Sequence, residues 1–255
     1  MIKNKVILPL ACIATVFSST VTADCKAIAA AGNLQETAKT VVDAQDSGGF
    51  KLQMWVTSVD ETGKVCEVVN SSGTEKDENG RSNVSWLGSR VISAQKANTA
   101  NAFSLDGFSI STANLYGLTQ PGGSLYGLQH SNPVDAGRAY AGSPSTYGTK
   151  KDPLIKKRIG GVNVFGGGLA LYQNGKKIGA IGVSGDTSCT DHAVAWKIRK
   201  ALELDAVPAG FKTGAAEGAK GDEMTLVTTV TPNTTDHPSC VSSPAGLDNG
   251  VIPVL

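Results

Sequence analysis

The chain has 255 residues, of which 23 are Lys or Arg and 22 are Asp or Glu, so its formal net charge is +1. That near-neutrality excludes a nucleic-acid binder working through a basic face. Average hydrophobicity, 30 glycines and few aromatic residues point to one turn-rich domain with a modest core and some appendages.

The N-terminus reads as a secretory signal over residues 1–23. Lys3 and Lys5 precede the apolar run 6–17, and Val21-Thr22-Ala23 suits cleavage after Ala23. The run is shorter than the ~20 residues a spanning helix needs, and no later segment is long and apolar enough. The expectation is a periplasmic or secreted protein with no stable membrane span once the signal is removed. Removal also takes away Cys12 and leaves Cys25, Cys66, Cys189 and Cys240. An even count in an exported chain implies two disulfides, with three pairings open. Cys25–Cys66 with Cys189–Cys240 is favoured, because each bridge then staples a terminal extension onto the domain. No pair has CxxC spacing, which argues against a metal or redox motif.

Residues 33–46 predict a helix with Leu34, Ala38, Val41 and Val42 on one face and Gly48-Gly49 as its stop. Residues 51–59 alternate as a strand, 60–63 turn, and 64–70 return as its partner. A polar loop over 71–83 precedes a helix over 84–103, on which Leu87, Val91, Ala94 and Asn98 track one face. Its alanines 94, 97, 100 and 102 let it lie close to a sheet or to another helix. Residues 105–152 form a long glycine-rich connection carrying Tyr116, Tyr126, Tyr140, Tyr147 and His130. Such long irregular segments are usually functional or disordered; the turn and aromatic content of 120–133 favours order. The basic run 150–158 suits a solvated helix or turn.

The strongest local signals lie in 166–204. A strand over 168–173 meets Asn174-Gly175, a two-residue hairpin turn whose residues both need positive φ. The return strand, 177–184, is almost all apolar or glycine and is expected to be buried on both faces. Ser184-Gly185-Asp186-Thr187 reverses the chain, and Asp186, Thr187 or Ser188 can cap the next helix. On that helix Val194, Ile198, Ala201 and Leu202 form a core-facing stripe. Beyond 204 come a helix stop over 205–210, a Gly/Ala/charged stretch over 212–222, an added strand over 224–231, and an extended remainder held by Cys240.

The run IGAIGVSG over 178–185, followed by Asp191 entering a helix, resembles the GlcG/HbpS-type haem-binding (haem-degrading domain) family. The likeness extends over about 34–204. It implies an α/β (α+β) domain: a central antiparallel sheet flanked by helices, a profilin- or PAS-like α-β-α sandwich. It also implies frequent homo-oligomers and, for some members, haem. Lys96-Ala97-Asn98-Thr99-Ala100 occupies the place of the family's K-A-R-T-A run, with Asn98 where the arginine stands. Thr99 carries over by position; at helical spacing it can also simply bond the preceding turn. The expected organisation is a signal over 1–23, the family domain over 24–204, and a disulfide-pinned extension over 205–255.

His192, Trp196 and Arg199 fall at i, i+4 and i+7 on one helix face. A haem needs an axial donor, a flat apolar wall and a cation near its propionates, and this row supplies those types, with His192 as the metal ligand. The same spacing suits a core tryptophan beside an exposed histidine. His130, near Tyr126 in the long connection, is a candidate second ligand or substrate contact. His237 reads as incidental. The glycines form neither a phosphate-binding P-loop nor a strand–GxGxxG–helix unit, and Ser184 lacks a GxSxG context. No catalytic residue is nominated. The sequence points to an exported binder of haem or another small ligand without turnover. The alternatives are an enzyme degrading haem or acting on a small organic ligand, and an oligomeric interaction module.

Overall fold

The computed structural model describes residues 25–73, 86–211, 213–214, 221–241 and 251–252. The signal-like stretch 1–23 lies outside the described residues. In chain order the helices and strands are α1 Cys25–Ala31, α2 Leu34–Asp43, β1 Trp55–Asp60, β2 Val65–Asn70, α3 Leu87–Phe103, α4 Leu128–Ser131 and α5 Ala136–Ala139. There follow β3 Gly168–Gln173, β4 Lys176–Ser184, α6 Ser188–Ala201, β5 Met224–Val227, β6 Asp236–Pro238 and β7 Val251–Ile252. No helix among the described residues is long and apolar enough to cross a membrane.

The core is an antiparallel sheet in the order β2-β1-β4-β3. Its centre is set by the hairpin signal. Asn174 and Gly175 adopt φ of 51° and 73°, and Gln173 pairs with Lys176 across them. β4 then runs between β1 and β3, buried from Ile178 to Ser184, as its apolar composition requires. α3 lies on one face, where Ala94, Ala97 and Ala100 pack on Trp55, Val59, Val65, Val68 and Ala180. The closest approach is at Gly182: a Cβ there would lie 2.0 Å from the Ser93 carbonyl oxygen. On the other face α1, α2 and α6 bring Ile28, Leu34, Ala38, Val42, Val194 and Ile198 onto Met54, Val56, Leu169, Leu171, Ile181 and Val183. The result is the α-β-α sandwich expected.

Several boundaries shift for local reasons. The strand expected from residue 51 begins at Trp55. The Asp186 carboxylate takes the N–H groups of Phe50 and Leu52, and Ser71 Oγ takes that of Met54 at 2.9 Å, so this backbone bonds elsewhere. Asp186 is thereby removed from capping, and Thr187 caps α6 by accepting from the Thr190 N–H. α2 starts at its Asn33 cap, which accepts from the Glu36 N–H, and ends three residues before the position anticipated. α1 carried no sequence signal that singled it out. α3 is buried on more than its alanine face, because the connection 105–165 packs over its outer side; Arg90 and Lys96 are fully enclosed.

Both disulfides form as favoured, Cys25–Cys66 and Cys189–Cys240. The first ties α1 to β2. The second ties the residues after Leu204 to the start of α6, where β5 pairs with β6 in parallel and with β7 antiparallel. The basic run 150–158 is turn rather than helix.

Candidate functional site

α6 enters directly from the end of β4 and carries the predicted row. The His192 and Trp196 rings stand 6.3 Å apart between centroids, and the Arg199 guanidinium lies 4.4 Å over the Trp196 ring. The three side chains are neighbours, as their spacing required. Their surroundings differ from those expected. His192 is fully buried and Trp196 half-buried. Arg199 is fully buried, and both of its terminal nitrogens bond the Asp222 carboxylate, at 2.7 and 2.9 Å. Nη1 also donates to the Ala170 carbonyl. Burial works against the Asp222 charge, but the Arg199 charge and hydrogen bonds, with the Ser109 hydroxyl, hold its carboxyl below the usual range. A propionate at Arg199 would have to displace Asp222.

The residues after Leu204 enclose the start of this helix. Met224 and Leu226 of β5 pack with Cys189, Ala193 and Ala113, and Cys240 is bonded to Cys189. Gly166 completes the seal: a Cβ there would meet Met224 at 2.1 Å and His192 at 3.0 Å. His237, expected to be incidental, is also buried here. Its Nδ1–H donates to the Pro238 carbonyl at 2.8 Å, and Nε2 accepts from the Gly166 N–H at 3.4 Å. That pattern needs a neutral ring. Burial pushes its pKa from 6.5 down to about 4, and the nearby Lys96 charge acts in the same direction.

A second buried ion pair lies under the glycine run. Lys96 Nζ bonds Asp191 at 2.6 Å and the Val183 carbonyl at 2.9 Å, linking α3, the end of β4 and α6. Burial drives both partners towards their neutral forms, lowering the Lys96 pKa and raising that of Asp191 to about 6. Thr99, one turn along α3 from Gln95, donates to the Gln95 carbonyl and accepts from the Asn163 N–H. Its hydroxyl therefore organises the backbone approaching β3. His130 sits on α4, well away in sequence, with its side chain exposed. Among the three histidines it alone is exposed.

Residues 65–199, just over half of the chain, match the family model described as haem degrading protein HbpS-like. The chain belongs to this HbpS-like family. No curated protein matches it. Among solved structures it is similar to the Klebsiella pneumoniae protein ORFY, of family DUF336, at 22% identity and a TM-score of 0.43, over 69% of this chain and 89% of that one. It is similar to a PduOC–haem complex at 23% identity and a TM-score of 0.43, over 66% and 88%. A double mutant of Streptomyces reticuli HbpS shares 15% identity with a TM-score of 0.40, over 78% and 99%.

In this HbpS-like chain, two open spaces formed by described residues lie away from His192. A cavity of about 390 Å³ sits beside β2, walled by the start of α2 and the turn 148–155. A more open depression borders Asp106 and Lys177. Neither is lined by His192, Trp196 or Arg199. Among the described residues, two groups bring metal-type donors within 4.8 Å of one another, Cys189–His237–Cys240 and Cys25–Asp60–Cys66. In each, both sulfurs are committed to a disulfide, so neither offers thiolates. Sequence reasoning missed the Lys96–Asp191 and Arg199–Asp222 pairs. The available signal was a lysine within the alanine stripe of α3, a charge that burial on that helix must pair.

Proposed function

We propose that this chain is an exported binder of haem or a related tetrapyrrole, without turnover of its own. The match of residues 65–199 to a family described by its dealings with haem carries the reading. Export is supported by the signal-like residues 1–23 and by two disulfides, which persist in oxidising compartments. In this reading 24–204 is the binding domain and 205–255 a cover stapled to it.

Of the nominated side chains Thr99, His130, His192, Trp196 and Arg199, His130 is the one that stands exposed; Trp196 is half-buried and the other three are enclosed. Its imidazole is an ordinary axial donor for haem iron. Tyr126 and Tyr140, exposed on the same connection at 63% and 62%, supply apolar faces. Such a site is shallow on one chain, and a second copy completes it, in keeping with a homo-oligomer. Haem at His192 requires β5 to leave first. No nucleic-acid partner and no membrane span enter the reading.

Hemin titration followed in the Soret region tests it. The expected result is a saturable red-shifted band that is lost in His130→Ala and kept in His192→Ala, with a rise in solution mass. The reverse pattern places the ligand under the extension instead, and an unchanged hemin spectrum overturns the binding reading. The family's description also favours a second reading, haem degradation. Loss of the Soret band on adding a reductant, with an open-chain pigment appearing, would replace binding by turnover.

A further inference from the structure

Two residues that line the cavity beside β2 keep a buried acceptor with no hydrogen-bond partner among the described residues. Glu67 is half-buried, and its Oε2 is inaccessible to water with no hydrogen-bond partner among the described residues. Gln35 Oε1, from the first turn of α2, is in the same condition, while its Nε2 is held by the Asn70 carbonyl at 2.7 Å. Both residues line the cavity with Val69 and Ile155, and the exposed Lys150 stands at its rim. Buried acceptors left without donors cost roughly 1–3 kcal/mol each, so a site that keeps two of them is suited to a ligand that supplies donors.

The walls are fixed rather than collapsible. The Cys25–Cys66 bridge anchors α1 to the strand that carries Glu67. The facing turn is organised around the buried Asp152, which accepts from the Gly148 and Leu154 N–H groups and pairs with Arg90. Arg90 in turn lies 3.7 Å over the Tyr147 ring. At about 390 Å³ the space falls at the small end of the range for organic ligands, ~300–1,000 Å³.

We propose that this cavity binds a small organic amine, whose ammonium draws the Glu67 and Gln35 acceptors out of the wall and whose apolar body lies on Val69 and Ile155. The donor requirement excludes a carboxylate at the inner end, because both inner groups are acceptors. Burial raises the Glu67 pKa against the pull of Lys150, and an incoming ammonium restores the ionised form. The site is independent of where a tetrapyrrole binds.

The test uses three probes on one skeleton, 4-phenylbutylamine, 4-phenylbutanol and 4-phenylbutyrate, titrated into the full oxidised protein by NMR. The expected result is saturable shifts at residues 67–69 and 148–155 for the amine, weaker ones for the alcohol, and none for the acid. Glu67→Gln should weaken the amine at least tenfold and leave the alcohol nearly unchanged. Glu67 makes no hydrogen bond among the described residues and meets only the charge of the exposed Lys150, so the variant should fold; Gln35→Met serves as a second variant, and urea unfolding checks both. Equal binding of amine and acid, undiminished amine binding in both variants, or no saturable shift at these residues overturns the proposal.

Discussion

Replacing Gly182 by alanine tests whether α3 and the sheet meet as closely as the fold requires. The new Cβ would stand 2.0 Å from the Ser93 carbonyl oxygen and 2.5 Å from the Ala97 nitrogen. That is roughly 1.5 Å inside the ~3.5 Å at which carbon contacts become favourable. Both obstacles are backbone, so no side chain can swing aside. The helix cannot retreat freely either. Ser93 Oγ bonds Thr57 Oγ1 at 2.7 Å, Lys96 is bonded to Asp191 and Val183, and Arg90 to Asp152. The expected cost is therefore at the upper end of overpacking, about 3 kcal/mol, a drop in Tm of roughly 6–12 °C for a chain of this size. Gly175→Ala is the control: its Cβ meets nothing within 4 Å, and φ is 73°, so only backbone strain of about 1 kcal/mol applies. Urea unfolding of the oxidised protein measures both. If Gly182→Ala costs no more than Gly175→Ala, the close packing of α3 on β4 is wrong.

Asp222→Asn leaves the Arg199 charge buried without its partner. It should cost about 3–5 kcal/mol and speed proteolysis beyond Leu204, as an intact protease-resistance profile would contradict. Serine replacement of Cys189 and Cys240, 51 residues apart, should lower stability in urea by about 4 kcal/mol from loop entropy; a loss below 1 kcal/mol would show that the unfolded chain is little constrained by the bridge. His237 makes stability depend on pH. The unfolded chain binds its proton below 6.5, the folded chain only near 4, so this contribution is complete above 6.5 and is lost as pH falls towards 4. Asp191, raised to about 6, acts with the opposite sign between 3.8 and 6, so the informative quantity is a difference. His237→Asn should gain on the wild type as pH falls from 6.5 to 4, and parallel urea midpoints for the two proteins across that range would refute this.

The central hairpin, the buried run of β4, the helix start at Asn33 and a second helix start capped within 186–188 were legible in the residues. Each depends on neighbours a few positions apart: the Asn174-Gly175 turn on its own φ angles, the caps on an N–H three residues on. The cystine pairing was legible only as a preference among three, on the ground that each favoured bridge staples a terminal extension onto the domain. The row His192–Trp196–Arg199 was also legible as a row, since helix geometry alone places those side chains together.

What surrounds that row was not. Arg199 meets Asp222, Lys96 meets Asp191, and Asp186 takes the Phe50 and Leu52 N–H groups across 136 and 134 positions. Those partners are chosen by how helices cross a sheet, and no local pattern encodes a crossing. The same holds for the enclosure of His192 by β5 and for the space left beside Glu67. Periodicity and turn chemistry act over a few residues and so determine elements and faces. Which charges are paired, which histidine meets solvent and where a cavity remains depend on segments far apart in the chain, and only their packing decides them.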